Sequence, residues 1–242
     1  MPSMLKSVLN QFHVYQHFLK QRQKYVAQTA LPDNIAEFLT TAPPEIDDLV
    51  TMHDYLVVDF ETTGMDADQH SVLSLGWVAI NNYTIELDSA RHIYVESPEG
   101  IMAETAIINH IVPEMLQNGV SLDNAMSQLF SASKDRILIA HGSMIEAAFV
   151  EKYLSTHYGV QNLPIMWLDT LAIEKAMANA VSKDTETDVR LSETRARYGL
   201  PEYNGHDALI DAIATAELFL AQSTRLFHKQ YPCIGKLFRL SQ

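Results

Sequence analysis

The chain has 242 residues, 47% of them hydrophobic and 19% charged, with a formal net charge of −13. No apolar run approaches the roughly 20 residues of a membrane-spanning helix, and the N-terminus lacks the plan of a signal peptide. The single cysteine, Cys233, excludes an intramolecular disulfide and fits a reducing compartment. We therefore predict a cytoplasmic globular protein, one α/β domain with a short appendage and no membrane partner.

The charges are unevenly distributed. All 30 acidic residues lie between positions 31 and 221, whereas residues 1–30 and 222–242 each carry four Lys or Arg and no acid. The net charge argues against a nucleic-acid partner, because phosphate contacts normally come from Lys and Arg. The basic ends still allow local binding of a phosphate chain or an acidic partner. Solvated helix faces remain the simpler interpretation of either end alone.

The first fifty residues are predicted to form a helical extension. Apolar residues recur at helical spacing over residues 4–28, a second short helix fits residues 34–40, and the Pro-containing segment 41–50 is a linker. The main domain is expected to span residues 51–222. The basic tail, residues 223–242, is predicted to be helical and packed on that domain.

Strands begin the main domain and then alternate with helices. Residues 55–60, 72–80 and 83–95 are predicted to form a three-stranded antiparallel meander. Further on, the pattern predicts short strands at 136–140 and 165–168, a polar loop at 182–188, and helices at 121–132, 143–157, 170–180, 191–198 and 207–221. This order is typical of an α/β fold with a mixed sheet.

Two carboxylates, Asp59 and Glu61, end the first predicted strand. Residues i and i+2 of a strand point to the same face, so both side chains project together. Adjacent carboxylates raise each other's pKa unless cations neutralise them, which Mg²⁺ or Mn²⁺ does through oxygen ligands. Such pairs also occur on exposed strands, but Leu56-Val57-Val58 indicates a buried one, and the polar turn Thr62-Thr63-Gly64 follows.

Two further clusters carry candidate residues. Glu146 lies on the first turns of a predicted helix, where a surface Glu favoured by the helix dipole is the simpler alternative. His206 and Asp211 lie at the start of the late helix. Its small, apolar face predicts close packing, so a carboxylate there needs a partner. For a lone histidine, a cap or a hydrogen-bonded core position is the structural alternative.

The order of these three motifs resembles that of the DEDDh exonucleases, most closely the proofreading enzymes similar to the epsilon subunit of bacterial DNA polymerase III. The segment 58–64 resembles the first motif of that family nearly letter for letter, and residues 107–116 resemble its segment between motifs. Leu168-Asp169-Thr170-Leu171 and Tyr198-Gly199-Leu200 also match. The resemblance spans about residues 55–221 and leaves both ends of the chain unexplained.

The resemblance implies a ribonuclease H-like mixed β-sheet flanked by helices, preceded by the N-terminal helical extension. It also implies a 3′→5′ exonuclease that uses two divalent cations, Mg²⁺ or Mn²⁺. In that enzyme Asp59, Glu61 and Asp211 hold the tighter ion, Asp59 also reaches the second, and Glu146 helps to position the second ion or its water. His206 is the general base toward the attacking water.

Substrate contacts are implied for the turn after the first strand. Thr62, Thr63 and Gly64 are expected to contact the terminal nucleotide through backbone groups, and Met65 to pack against the last base. Single-stranded DNA is the first choice of substrate, with an oligoribonuclease-like RNA exonuclease as an alternative. The N-terminal helix is expected to cover the sheet edge, form a homodimer, or dock a replication or repair partner.

Two positions depart from the family pattern. Glu146 stands where the family usually has Asp, and Gly142 stands where it usually has Asn. A Glu is one methylene longer and still reaches a metal from a helix set slightly further back. The same change also fits a catalytically weak nucleic-acid-binding or scaffold protein on this fold. The other four catalytic positions are intact, and they favour activity.

Overall fold

Five strands form one mixed sheet in the order β3-β2-β1-β4-β5. The computed structural model describes residues 13–28, 31, 35, 42–96, 111–181, 187–227 and 230–242. The strand bounds are β1 Tyr55–Thr62, β2 Val72–Asn81, β3 Thr84–Tyr94, β4 Ile137–Ala140 and β5 Trp167–Asp169. β1 to β3 form the antiparallel meander predicted from the sequence, and β4 and β5 add in parallel to β1.

Eight α-helices surround this sheet within the described residues. Their bounds are α1 Val14–Gln28, α2 Pro113–Gln117, α3 Leu122–Ala132, α4 Met144–Tyr158, α5 Thr170–Val181, α6 Leu191–Arg197, α7 Ala208–Arg225 and α8 Ile234–Leu240. The helices predicted for the main domain are confirmed, although α7 continues four residues beyond its predicted end. The predicted helix 34–40, residues 4–12 of the first helix and most of the loop 182–188 lie outside the described residues.

The two faces of the sheet bury separate apolar clusters. Leu56, Val58 and Phe60 of β1 pack into one cluster together with residues of α3 and α4. Tyr55 and Val57 pack into the other, together with residues of α7 and α8. Because side chains of a strand alternate, Asp59 and Glu61 continue the face that α7 covers. The alternation of β1 therefore points both carboxylates toward the late helix.

The two ends of the chain pack against each other. Tyr15 of α1 is fully buried, and its ring lies 5.1 Å from that of Phe238 in α8. The segment before β1 also pairs with the segment before α8, through a bridge between Leu49 and Cys233. One face of α1 is thus occupied by this chain's own C-terminal helix. Among the described residues, no helix combines the length and apolar character needed to cross a membrane.

Candidate active site

β1 places the carboxylates of Asp59 and Glu61 at the edge of the sheet where β1 and β4 end. Asp59 pairs with Gly76 of β2 and Glu61 pairs with Ser74, just before an irregularity in the register between Glu61 and Thr62. Glu61 is buried and Asp59 is partly exposed. This edge of a parallel strand pair is where α/β folds commonly place their sites.

Gly76 allows the late helix to reach this edge. A Cβ at Gly76 would overlap the backbone atoms of Ala208 and Leu209, so the first turn of α7 lies directly on β2. Asp207 caps the helix, because its Oδ1 accepts hydrogen bonds from the N–H groups of Leu209 and Ile210, at 3.1 and 3.0 Å. One turn further on, Asp211 then faces the two carboxylates of β1.

Asp59, Glu61 and Asp211 form a compact acidic group. Each contributes one carboxylate oxygen, and the three oxygens lie within 4.8 Å of one another. Burial, followed by repulsion from neighbouring acids, raises the pKa of Asp59 well above its ordinary value and that of Glu61 to about 8. Burial likewise raises the pKa of Asp211. Such a group is stabilised by hard cations, which bind carboxylate oxygens.

His206 stands beside this group, in the turn that precedes α7. Its backbone is left-handed, with φ of 65°, and its N–H donates to Asp211 Oδ2 at 2.9 Å. The residue is exposed. Its side chain is therefore open to solvent beside Asp211, and its predicted role as general base stays a prediction.

Glu146 approaches from the other side of the sheet. It belongs to α4, whose apolar residues Phe149 and Val150 pack into the opposite cluster. The side chain is 4% exposed, and its Oε2 is buried with no hydrogen-bond partner among the described residues. Burial, opposed by backbone N–H groups, raises the pKa of Glu146 to about 8. Glu146 influences Asp59 and Glu61 electrostatically but is not a member of the 4.8 Å group.

One buried carboxylate that organises this edge was missed as a functional residue by the sequence reasoning. Asp169, at the end of β5, accepts hydrogen bonds from the N–H groups of Gly142, Ser143 and Leu171 at 2.9–3.0 Å. It thereby ties the turn before α4, and hence Glu146, to the start of α5. The only sequence signal was the family-like Leu168-Asp169-Thr170-Leu171 segment, which does not state a role.

His141, which directly precedes Gly142, has a structural role. Its Nδ1 lies 2.9 Å from Thr170 Oγ1 and its Nε2 lies 2.9 Å from the carbonyl oxygen of Val189. Burial lowers the pKa of His141. With both ring nitrogens engaged, this histidine has no nitrogen left to accept a proton from water.

The turn after β1 is held by side-chain hydrogen bonds and carries an exposed methionine. Thr62 Oγ1 donates to the carbonyl oxygen of Gly64 at 2.8 Å, and Thr63 Oγ1 lies 3.3 Å from Nδ1 of His70. A Cβ at Gly64 would overlap the His70 ring. Met65 is 79% exposed. The predicted contacts of these residues with a terminal nucleotide stay predictions.

Comparison with known proteins identifies the family. The model of the exonuclease family RNase_T matches residues 56–219, a span that contains most of β1, the acidic group and most of α7. The chain therefore belongs to this exonuclease family. The resemblance to DEDDh exonucleases seen in the sequence is confirmed.

Two relatives illustrate the match. The PolC-type DNA polymerase III of Thermotoga maritima is 27% identical over 166 residues, which cover 69% of this chain and 12% of that protein. The 3′-5′ exonuclease DinG of Staphylococcus aureus is 28% identical over 193 residues, which cover 79% of this chain and 20% of that protein. The chain thus spans an eighth to a fifth of the length of these relatives.

Solved structures confirm the fold. The cell-death related nuclease CRN-4 superposes with a TM-score of 0.62 at 15% identity, covering 72% of this chain and 64% of that one. The nuclease domain of 3′hExo, a DEDDh family member bound to rAMP, gives 0.58 at 14%, covering 74% and 96%. E. coli Exonuclease I in complex with a dT13 oligonucleotide gives 0.56 at 14%, covering 72% and 41%. The predicted ribonuclease H-like sheet flanked by helices is therefore correct.

Proposed function

We propose that this chain removes nucleotides from nucleic-acid 3′ ends by two-metal hydrolysis. The observation that carries the proposal is the convergence of Asp59, Glu61 and Asp211 within 4.8 Å, with His206 hydrogen-bonded to Asp211 through its backbone. These residues come from a strand and a helix far apart in sequence, and four of the five positions named from the family pattern meet at one edge of the sheet.

The residues present fit divalent cations. Three carboxylates gather at one point, and burial raises the pKa of each, so the ionised group needs positive charge. All of the donors are oxygens, which Mg²⁺ and Mn²⁺ prefer. The unpartnered Oε2 of Glu146 adds a fourth acid next to the group. When bound, two such ions stabilise the attacking and leaving oxygens of a phosphodiester hydrolysis.

Each side chain has a distinct task in this proposal. Asp59, Glu61 and Asp211 would hold one ion, and Glu146 would help to position a second ion or its water. His206 accepts a proton from the attacking water at a ring nitrogen, for which its exposed position beside the carboxylates is suited. The buried Asp169 keeps the turn before α4 in place, so that Glu146 reaches the group across the sheet edge.

Single-stranded DNA is the proposed substrate. A site at the edge of a sheet between α4 and α7 suits an unpaired end, which threads into a narrow site more readily than a duplex. Thr62, Thr63 and Gly64 contact the terminal nucleotide through the backbone, and the exposed Met65 packs against its base. E. coli Exonuclease I is bound to a DNA oligonucleotide and 3′hExo to rAMP, so RNA is the alternative substrate.

One observation favours a second candidate function. Glu146 replaces the usual Asp of the family and is not a member of the 4.8 Å group. A catalytically weak nucleic-acid-binding or scaffold protein with one intact carboxylate group would have this arrangement. It would bind a strand and one cation without hydrolysis.

We also propose a protein partner in replication or repair, or a second copy of this chain, docked through α1. The relatives PolC and DinG are much longer chains. Tyr15 and Phe18 of α1 pack against Phe238 within the chain, so a partner would contact the opposite face of the helix. A location in the cytoplasm is proposed from the single cysteine.

The test is degradation of 5′-labelled single-stranded DNA and RNA of the same sequence, with Mg²⁺, Mn²⁺ or EDTA. We expect a metal-dependent ladder of shortened products from wild type and none from Asp59→Ala. Asp88→Ala, which removes an exposed acid on β3, is the matched control and is expected to behave as wild type. If neither strand shortens with either metal while binding persists, the scaffold function is the correct one.

A further inference from the structure

A second histidine, His92 on β3, lies in line with the active site. Gly76 pairs with Asp59 on one side and with His92 on the other, so these three residues form a row across the sheet. Directly paired residues of neighbouring strands point to the same face. His92 therefore occupies the face that carries the acidic group and the start of α7, and its side chain is 15% exposed.

The ring of His92 contacts the cap of α7. Its Nδ1 lies 3.6 Å from Asp207 Oδ1, its Nε2 lies 3.1 Å from Ser74 Oγ, and its ring packs against that of Tyr94, tilted by 34° with centroids 4.4 Å apart. Asp207 Oδ1 is the same atom that accepts the capping hydrogen bonds from Leu209 and Ile210. β3 is thus joined to the first turn of α7 through one carboxylate oxygen.

That first turn determines where His206 stands. His206 directly precedes Asp207 and has a left-handed backbone. A displacement of the Asp207 cap would therefore also move the His206 side chain. Gly76 allows α7 to approach β2 closely because it has no side chain. For the same reason, Gly76 has no side chain that would fix the position of the helix along the sheet. His92, held by Ser74 and Tyr94, supplies a fixed contact at that place.

We propose that His92 is a positioning residue for catalysis, which fixes Asp207 and thereby the orientation of His206 toward the attacking water. The inference rests on the proposed function, in which His206 is the general base. Burial lowers the pKa of His92 although Asp207 opposes this effect. A neutral ring with its proton on Nδ1 directs that N–H toward the carboxylate and leaves Nε2 to accept from the Ser74 hydroxyl.

The chain contains a matched control for this contact. His157 Nε2 lies 3.2 Å from Asp123 Oδ1, and its ring stacks on Tyr153 at 4.3 Å. Asp123 lies in the first turn of α3, which Ser121 caps, whereas Asp207 itself caps α7. His157 follows Glu146 on α4 by eleven residues, about 16 Å along the helix axis. His157→Ala removes a carboxylate contact and a ring contact of the same kinds, together with a 3.0 Å hydrogen bond to the carbonyl oxygen of Tyr153, far from the acidic group.

The experiment compares kcat and KM for a 5′-labelled single-stranded oligonucleotide among wild type, His92→Ala and His157→Ala. Melting temperatures are measured in parallel. We expect His92→Ala to lower kcat by roughly tenfold to hundredfold, because misplaced catalytic groups cost rates of this order, and to change KM by less than about twofold. His157→Ala should keep the wild-type kcat, and the melting temperatures show that both variants are folded at the assay temperature.

Two further variants separate positioning from folding. His92→Asn places an amide near the position of Nδ1 and should recover most of kcat, whereas His92→Gln reaches toward Ser74 and should not. In an Asp207→Asn background, which keeps a good helix cap, His92→Ala should have a smaller additional effect.

The outcomes distinguish the inference from the proposed function. An active wild type together with equal kcat for His92→Ala and His157→Ala would overturn the positioning role and leave the exonuclease intact. If His92→Gln recovered kcat and His92→Asn did not, the proposal that His92 acts through Asp207 would be wrong. An inactive wild type with every metal would remove the proposed function, and the role of His92 would fall with it.

Discussion

The backbone N–H of His206 donates a hydrogen bond to the Asp211 carboxylate, with 2.9 Å between N and Oδ2. One side chain therefore serves the acidic group and also fixes the backbone of the proposed general base. The two tasks differ chemically, because a cation needs the negative charge whereas the hydrogen bond needs only an acceptor oxygen. Substitutions at these two positions separate them.

Asp211→Asn keeps an acceptor for His206 and removes the charge, whereas Asp211→Ala removes both. We expect both variants to lose most of the activity and the rise in melting temperature that Mn²⁺ gives wild type. Without metal, Asp211→Ala should be less stable than Asp211→Asn by about 0.5–1.5 kcal/mol, since it loses the hydrogen bond from the solvent-exposed His206 N–H. A wild-type response of Asp211→Asn to Mn²⁺ would contradict the metal role.

His206→Ala removes the proposed base without touching a carboxylate. General-base catalysis contributes on the order of 10²–10⁴-fold, and kcat should fall within that range. The Mn²⁺-dependent rise in melting temperature should persist, because the acidic group is intact. Single-turnover cleavage and thermal denaturation measure the two effects. Loss of the metal response together with the activity would show that the ring serves the metal site instead.

Glu61 should make the metal-free protein less stable as the pH rises. Burial raises the pKa of Glu61 from 4.5 to about 8, so between these pH values the folded state holds a proton that the unfolded state has released. Stability then falls with increasing pH across this window. Glu61→Gln cannot titrate, so the free energy of unfolding of wild type minus that of the variant should decrease between pH 5 and pH 8. Urea denaturation in EDTA tests this, and a constant difference would contradict it.

Gly76→Ala should disturb the site through the helix that lies on it. The added Cβ would overlap the backbone of Ala208, and overpacking of this kind costs about 1–3 kcal/mol or more. Gly159→Ala is the control, since its Cβ meets no atom within 4 Å and only the left-handed φ of 65° costs stability, about 1–2 kcal/mol. Only Gly76→Ala should also reduce kcat. Equal activities would show that the start of α7 tolerates displacement.

Phe238→Ala should destabilise the whole chain without altering catalysis. Phe238 is 5% exposed and packs against Tyr15 and Phe18, so its removal leaves a cavity and should cost about 3–5 kcal/mol. Phe227→Ala, at a side chain that is 48% exposed, should cost about 1 kcal/mol or less. Chemical denaturation measures both. A separate early transition would show that the two ends unfold independently of the main domain.

Much of the site followed from local pattern. The alternation of a strand places Asp59 and Glu61 on one face, and the apolar spacing of the late helix places Asp211 one turn after its cap. The three-stranded meander followed from apolar runs separated by turn residues. These features depend on neighbours within a few residues, and a sequence displays such neighbours directly.

Other features could not be inferred locally. Asp169 resembled an ordinary acid before a helix, and its role arises from Gly142 and Ser143 of a distant turn. His92 was one of ten histidines, and only the register of β3 on β2 brings it to Asp207. The helical extension also gave no sign that its aromatic side chains would pack against α8.

The sequence by itself determined which carboxylates belong to the family pattern, because residue type and spacing are local properties. The tertiary structure decided which of them meet. Gly76 brings Asp211 onto β1 to complete the 4.8 Å group, whereas Glu146 comes from the opposite layer and is not a member of it. Contacts between segments far apart in the chain depend on how whole faces pack, and that packing is set by the apolar clusters on both sides of the sheet.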